Sequence, residues 1–286
     1  MSNPSDTYQL MQGQVLHNQL YGINFSPFLG EQSPLWDSPQ PTVSQIGRRL
    51  DLVAPFTNRI RVFNTVGICD TIIQIALEKG FEVVIGSWVG DKPLDNQASM
   101  EALLKWGKHP EIHTLLVGNE VLDRGDVPYS ELVTLIDQVK HTFPEKEVST
   151  ALVIGTLEKY PDLIDHLDSV YVNLHPYFAG VAPAQAAAEL QYQYRKVESL
   201  CDGKPIIISE TGWPSLDGHE ASNFLQDLLK WAKALHIPYY YFSAFDEPWK
   251  ARTKGSFEAQ FGLFNDSEQL KTGYQPIFYN DQLPIP

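Results

Sequence analysis

The sequence has few residues of the kinds that bind metals or cross-link chains. Its two cysteines, Cys69 and Cys201, lack metal-site spacing, and the sequence does not decide whether they form a disulfide. The histidines, among them His113, His166 and His219, are dispersed and form no HExxH-type pair. These absences argue against metal-dependent hydrolysis, and we expect no metal site.

Positive charge and long apolar runs are also scarce. The chain has 21 Lys and Arg against 35 Asp and Glu, a net charge of −14 that repels phosphate backbones and anionic lipid. No run reaches the roughly 18 apolar residues of a membrane span. We therefore expect neither a nucleic acid nor a membrane as partner.

The first residues, MSNPSDTYQLMQGQ, lack the basic and apolar regions of a signal peptide. Localisation stays open: cytoplasmic as the chain stands, or secreted or periplasmic if a leader has been removed.

Motifs of cofactor chemistry and of serine or cysteine catalysis are missing as well. No G-x-S-x-G elbow occurs, and Cys69 falls at the start of a predicted helix rather than in a catalytic motif. No Gly-rich phosphate loop follows the first apolar run, YGINFSPF. We expect no cofactor.

The sequence does contain eight apolar, β-branched or aromatic runs separated by amphipathic stretches. This alternation predicts parallel β/α units that close into a single (β/α)8 TIM barrel. A doubly wound open sheet is the alternative, although it would more often carry the missing phosphate loop. No linker divides residues 1–286, so we expect one domain with residues 1–20 and 281–286 as tails. The predicted strands are Tyr21–Phe28, Asn58–Asn64, Glu82–Trp88, Thr114–Glu120, Val148–Val153, Ser169–Tyr177, Pro205–Glu210 and Tyr239–Asp246; the predicted helices are Val43–Ala54, Asp70–Lys79, Asn96–Lys108, Tyr129–Thr142, Ala184–Cys201 and Glu220–Leu235, with a short helix within Leu157–Leu167.

Two of these runs end in a glutamate. Glu120 closes the fourth run, in IHTLLVGNEV, and Glu210 closes the seventh, in KPIIISETGWPS. A carboxylate at the tip of a buried parallel strand has no packing role, and barrel active sites lie at this end of the strands. Strands four and seven face each other across the mouth, so the pair predicts a retaining glycosidase, whose carboxyl groups stand about 5–5.5 Å apart. The acid of such a pair needs a pKa raised by burial and by its negative neighbour.

Other strand tips are rich in polar and aromatic groups, which a tip serving only stability would not need. They include Asn24, Phe28, Arg61, Asn64, Trp88, Asn173, His175, Phe245 and Asp246.

The motifs VGNEV, SETGWPS, NLHPYF, FDEPWK and EAQFGLF, with YGINF and IRVFNT before them, resemble glycoside hydrolase family 17, the β-1,3-glucanase family of the clan A barrels. The resemblance extends from Tyr21 to about Tyr274. It implies that Glu120 is the general acid/base and Glu210 the nucleophile. It also implies that Asn119 binds the sugar 2-hydroxyl and that the Tyr177 hydroxyl orients the nucleophile.

The same resemblance places a charged trio around the catalytic pair, formed by Glu247, Lys250 and Glu258. The alternative for the trio is a surface ion-pair cluster of little energetic value. Aromatic residues expected to stack on glucosyl rings, or else to pack in the core or rim, are Trp88, Phe178, Trp213 and Trp249.

The chain departs from the plant-type pattern at three places. His175 stands where tyrosine is usual, and Pro-Trp follows Glu247 in place of Asn and an aliphatic residue. The segment between Tyr177 and Pro205, residues 178–204, has 27 residues, whereas plant members carry a much longer insertion there. Its absence puts cleft length and strict endo action in doubt.

Three functions therefore remain open. The first is hydrolysis of a β-1,3-linked glucan or oligosaccharide with retention, and the second is transfer of the same glycosyl-enzyme to a sugar acceptor. The third, a non-catalytic glucan-binding barrel, is disfavoured because both carboxylates are present. The sequence does not indicate chain-length preference or oligomeric state.

Overall fold

A computed structural model describes residues 20–35 and 37–279. The predicted tails lie outside the described residues, except for Leu20, which is buried. The described chain contains a closed barrel of eight parallel strands in sequence order, which confirms the TIM barrel and excludes the open sheet. The strands are β1 Gly22–Asn24, β2 Arg59–Val62, β3 Glu82–Ser87, β4 Thr114–Asn119, β5 Glu147–Leu152, β6 Val170–Asn173, β7 Ile206–Thr211 and β8 Tyr239–Tyr241.

Helices follow the strands and cover the outside of the barrel. The predicted helices occur with shifts of a few residues at their ends, and the connection after β5 holds two short helices instead of one. They are α1 Val43–Val53, α2 Ile68–Glu78, α3 Pro93–Gly107, α4 Val121–Arg124, α5 Tyr129–Thr142, α6 Ile154–Lys159, α7 Leu163–His166, α8 Ala186–Leu200, α9 His219–Leu235, α10 Pro248–Thr253 and α11 Gln275–Phe278, with 3₁₀ turns at Pro176–Ala179, Pro183–Gln185, Ser256–Gln260 and Thr272–Tyr274.

The strands are apolar on both faces because both faces are buried. In β4, Leu115 and Val117 pack outward against the helices, whereas Leu116 points into the barrel. The inward layer fills the barrel with side chains from successive strands: Val84, Leu116, Ala151, Tyr171, Ile207 and Tyr240. The barrel is therefore a packed core, and its carboxyl-terminal rim is left to carry chemistry.

Two features bear on the class of protein. Within the described ranges, no helix is long and apolar enough to cross a membrane. Cys69 is half-buried, Cys201 is buried, and both are free thiols. The disulfide that the sequence left open is therefore not formed.

Candidate active site

Glu120 and Glu210 lie at the carboxyl-terminal ends of β4 and β7, where the strands are irregular. The register of β4 against β5 shifts between Leu116 and Asn119, and that of β7 against β8 shifts between Ile208 and Thr211. Such bulges re-aim the side chains at a barrel rim.

The turn at Glu120 is left-handed. Its φ is 54°, just after Gly118 at 80°, and this conformation costs a non-glycine residue about 1–2 kcal/mol. Two hydrogen bonds hold Glu120 in place: its N–H donates to the Ala151 carbonyl over 2.8 Å, and Oε1 accepts from Asn173 Nδ2 over 2.7 Å. Strain maintained in this way is characteristic of functional sites.

Glu210 is buried and lies between two cationic or potentially cationic groups. Oε1 accepts a 2.9 Å hydrogen bond from Arg61 Nη1, and Oε2 lies 3.5 Å from His175 Nε2. Burial alone would raise the pKa of Glu210, but the His175 hydrogen bond and the Arg61 charge outweigh it and lower the pKa to about 2. The carboxyl group is therefore ionised at any ordinary pH, as a nucleophile must be.

Glu120 has the opposite electrostatic environment. Burial raises its pKa first, and the negative charge of Glu210 raises it further. The hydrogen bond from Asn173 opposes these effects without cancelling them. The two carboxyl groups thus differ in the direction of their pKa shifts, which is the arrangement that separates an acid from a base within one site.

A network of hydrogen bonds joins the two glutamates. Arg61 donates to Glu210 and, through Nη2 over 2.8 Å, to Asn119 Oδ1. Asn173 Nδ2 donates to the same Asn119 oxygen over 3.2 Å and to Glu120. Within the described residues, Asn119 Nδ2 makes no hydrogen bond, so its N–H groups remain to donate to a sugar hydroxyl.

Tyr177 makes ring contacts in place of the hydrogen bond that the resemblance implied. Its hydroxyl makes no hydrogen bond with Glu210 in the described part of the chain, and its ring packs against Trp213 and Phe257 with centroids 5.3 and 5.2 Å away. Arg61 and His175 contact the Glu210 oxygens instead. Tyr177 also lines a cavity of about 430 Å³ beside the loop after β7. The described contacts therefore do not support the expectation that the Tyr177 hydroxyl orients the nucleophile.

Of the charged trio, two members are paired. Lys250 Nζ lies 2.5 Å from Glu247 Oε2, and Glu247 Oε1 accepts from Ser26 Oγ over 2.6 Å and from Trp249 Nε1 over 3.1 Å. Glu247 and Lys250 are buried, which excludes the surface ion-pair alternative for these two. The half-buried Glu258 carboxylate has no ion pair within the described ranges.

The predicted stacking residues differ in exposure. Trp88 is 40% exposed and Phe178 is 59% exposed, so both rings are accessible to a ligand, and Trp249 is half-buried. Trp213 is 3% exposed and packs on Tyr177 and Phe224. It serves the core, so stacking of Trp213 on a glucosyl ring is not supported.

Arg61, Asn173 and His175 stand out in the structure, although the sequence only placed them among the strand tips. The sequence of β2 does indicate the direction of Arg61: it alternates with Ile60 and Val62 and therefore points into the barrel. An arginine buried there requires a carboxylate partner.

Within the described residues, no cluster of three or more His, Cys, Asp or Glu side chains is arranged to hold a metal.

Comparison with known proteins gives concordant results. The family model of the BtgE/BtgC glycoside hydrolase domain matches residues 22–262. A probable glucan endo-1,3-beta-glucosidase btgC of Aspergillus fumigatus is 27% identical over 95% of this chain and 45% of its own length. The glucan endo-1,3-beta-glucosidase btgC of Emericella nidulans is 25% identical over 96% of this chain and 48% of its length. The chain thus spans about half the length of the curated relatives it matches.

Solved structures include a glycoside hydrolase family 17 beta-1,3-glucanosyltransferase from Rhizomucor miehei. It is 32% identical, with a TM-score of 0.77 over 89% of this chain and 96% of that one. An endo-laminarinase from Formosa Hel1_33_131 has the same TM-score at 17% identity, over 96% of this chain and 92% of that one, which supports the fold alone.

Proposed function

The chain belongs to the BtgE/BtgC glycoside hydrolases and to glycoside hydrolase family 17, and on this basis we propose that it cleaves β-1,3-linked glucan with retention of anomeric configuration. The observation that carries the proposal is the pair of glutamates at the tips of β4 and β7, whose pKa values are shifted in opposite directions. Glu210 is the nucleophile and Glu120 the general acid/base.

In the first step, a Glu210 oxygen attacks the anomeric carbon while the glycosidic C–O bond breaks. Glu120 gives its proton to the departing oxygen, so the leaving sugar departs as a neutral alcohol. Burial and the Glu210 charge raise the pKa of Glu120, which favours the protonated form that acts as the acid. The ester formed on Glu210 removes its negative charge, which lowers the pKa of Glu120 and prepares it to act as a base.

In the second step, a hydroxyl attacks the anomeric carbon from the opposite face, and Glu120 takes its proton. The ester bond to Glu210 breaks, and the carboxylate is restored beside Arg61 and His175. Two inversions give net retention. Asn119, through its free Nδ2, is placed to hydrogen-bond a sugar hydroxyl during both steps.

The identity of the second hydroxyl decides between hydrolysis and transfer. The curated relatives are named as endo-glucosidases, whereas the Rhizomucor miehei relative is a glucanosyltransferase. Transfer is therefore the second candidate function, and it uses the same two glutamates. Stacking on the exposed rings of Trp88 and Phe178 would hold an acceptor sugar. The hydroxyl of that sugar would then compete with water for the glycosyl-enzyme.

The test is a product time course on one pure laminari-oligosaccharide, followed by mass spectrometry and by NMR of the first-formed anomer. Products shorter than the substrate, released as the β-anomer, establish a retaining β-1,3-glucan hydrolase. Products longer than the substrate establish transfer. An α-anomer contradicts the double displacement, and an unchanged substrate contradicts the assignment of β-1,3-glucan. The Glu210→Ala variant is the inactive control.

A further inference from the structure

Arg124 ends α4, the short helix that directly follows Glu120. Its guanidinium donates to the Asn119 carbonyl oxygen and, over 3.1 Å, to the Val89 carbonyl oxygen. The guanidinium carbon also lies 4.4 Å from the centre of the Trp88 ring. One side chain therefore joins the rims of β3 and β4, and it contacts both an exposed aromatic ring and the backbone before the acid.

Asp126 fixes the orientation of this guanidinium. Its Oδ2 lies 2.7 Å from Arg124 Nε and 2.5 Å from Nη2. A planar group with several fixed donors can contact a carboxylate, two carbonyls and a ring face together, whereas a lysine ammonium can keep only some of these contacts.

The contact to Asn119 acts on the peptide unit that sets the direction of Glu120. The N–H of that peptide donates to the Ala151 carbonyl over 2.8 Å, and its C=O accepts from Arg124. The peptide plane is thus held from both sides. This matters because Glu120 has a φ of 54°, which is intrinsically disfavoured for a residue with a side chain and persists only where the surroundings impose it.

We propose that Arg124 is a positioning residue for proton transfer by Glu120, and that it couples this geometry to the exposed Trp88 ring. The inference rests on the proposed function, since it assigns Glu120 the acid role. Without Arg124 this peptide is held only on its N–H side, by the Ala151 carbonyl, and its C=O can tilt, which shifts the Glu120 carboxyl group relative to the glycosidic oxygen. Misplacement of a catalytic group by about 1 Å costs on the order of 100-fold in rate.

The test compares two substrates of Arg124→Ala: a laminari-oligosaccharide, whose leaving group needs a proton, and a dinitrophenyl β-laminaribioside, whose leaving group does not. We expect kcat/KM to fall about 10- to 100-fold on the first and less than about threefold on the second. Arg124→Lys should recover part of the loss on the first. Trp88→Ala should raise KM without this discrimination between leaving groups.

Arg59→Ala is the matched control, because Arg59 also pairs with a carboxylate (Glu82, 2.8 Å) and lies over a ring (Tyr21, 4.7 Å), but at the other end of the barrel. It should leave both rates unchanged. Equal losses on both substrates in Arg124→Ala, or wild-type rates in Arg124→Lys, would overturn the inference alone. A wild-type chain inactive on every β-1,3-glucan would overturn the proposed function and the inference together.

Discussion

Arg61 Nη1 lies 2.9 Å from Glu210 Oε1, and both side chains are almost fully buried. The guanidinium reaches across the barrel mouth from β2 to β7, and it also holds Asn119 beside Glu120. Arg61 therefore helps His175 to keep the nucleophile ionised, and it also supports the strand that carries the acid. Arg61 adds to the difference in pKa between the two glutamates: together with His175 it lowers the pKa of Glu210, whereas it reaches Glu120 only through two amides, and burial and the Glu210 charge raise the pKa of Glu120.

Replacement of Arg61 by Met should raise the pKa of Glu210, because burial then acts against only the His175 contact. Glu210 must be ionised to attack, so the acid limb of the pH profile of kcat/KM should move to higher pH.

The lowered pKa of Glu210 stabilises the folded chain above about pH 4.5, and this contribution is lost as pH falls toward 2. Removing one partner of a buried pair costs about 3–5 kcal/mol, measurable at pH 7 by urea unfolding.

Arg59→Met provides the matched control on the same strand. Arg59 pairs with Glu82 at the surface, with the two side chains 32% and 48% exposed. Such a pair contributes about 0–1 kcal/mol, and its loss should leave the pH profile unchanged. Equal effects of the two substitutions would show that the buried Arg61–Glu210 pair affects stability and the pH profile no more than the surface pair does.

Azide should distinguish the roles of the two glutamates. In Glu210→Ala the vacated space admits azide on the nucleophile's face, so an activated β-glucoside should give the α-glycosyl azide. In Glu120→Ala the glycosyl-enzyme still forms from the activated substrate, and azide should release the β-glycosyl azide. The second variant should lose about 10²–10⁴ in rate on natural glucan, which needs protonation.

The products are read by NMR, with the exposed Glu111→Ala as control. The same anomer from both variants would contradict the assignment of roles.

The barrel and the strand positions of Glu120 and Glu210 could be predicted from the sequence, because eight buried strands leave an apolar pattern and a charged residue at a strand tip interrupts it. The partners of Glu210 could not. Arg61 is 149 residues away in sequence, and its pairing depends on how strands two and seven face each other after the barrel closes.

Aromatic residues show the same limit. Tyr177 and Trp213 lie in motifs next to the site, yet their rings pack on each other rather than on Glu210 or the open cleft. Local sequence gives the strand tip on which a ring lies. Its direction depends on the 3₁₀ turn at Pro176–Ala179 and on packing against Phe257 and Phe261. His175 directly precedes that turn, and its Nε2 lies 3.5 Å from Glu210 Oε2.

Asp246 should make stability depend on pH in the opposite sense to Glu210. Burial raises its pKa from 3.8 to about 6, against the charge of Lys271 2.7 Å away. The folded chain then binds this proton more tightly than the unfolded chain, so stability falls as pH rises from about 3.8 to 6. The contribution is on the order of 2–3 kcal/mol.

Urea unfolding between pH 4 and 7 measures how the free energy of unfolding changes with pH. Asp246→Asn should remove the fall in this free energy. Asp227→Asn, at a surface pair with Lys230, is the control and should keep the wild-type slope. A wild-type slope in Asp246→Asn would show that a group other than Asp246 causes the pH dependence of stability.

Gly212, two residues after the nucleophile, is required by close backbone approach. A Cβ at this position would lie 1.9 Å from the Phe242 carbonyl oxygen. The Phe242 N–H donates to the Thr211 carbonyl, so the two backbone segments cannot move apart without loss of this hydrogen bond. Gly212→Ala should therefore destabilise the fold by about 1–3 kcal/mol and lower kcat by displacing Glu210.

Gly155→Ala is the control for Gly212→Ala. Gly155 lies in α6, and a Cβ added there would meet no atom within 4 Å among the described residues. Alanine at this position should leave kcat unchanged and stabilise the chain by about 0.5–1 kcal/mol. Urea unfolding and kcat on a laminari-oligosaccharide check both variants. Wild-type kcat and stability in Gly212→Ala would show that the backbone just after β7 can shift without displacing Glu210.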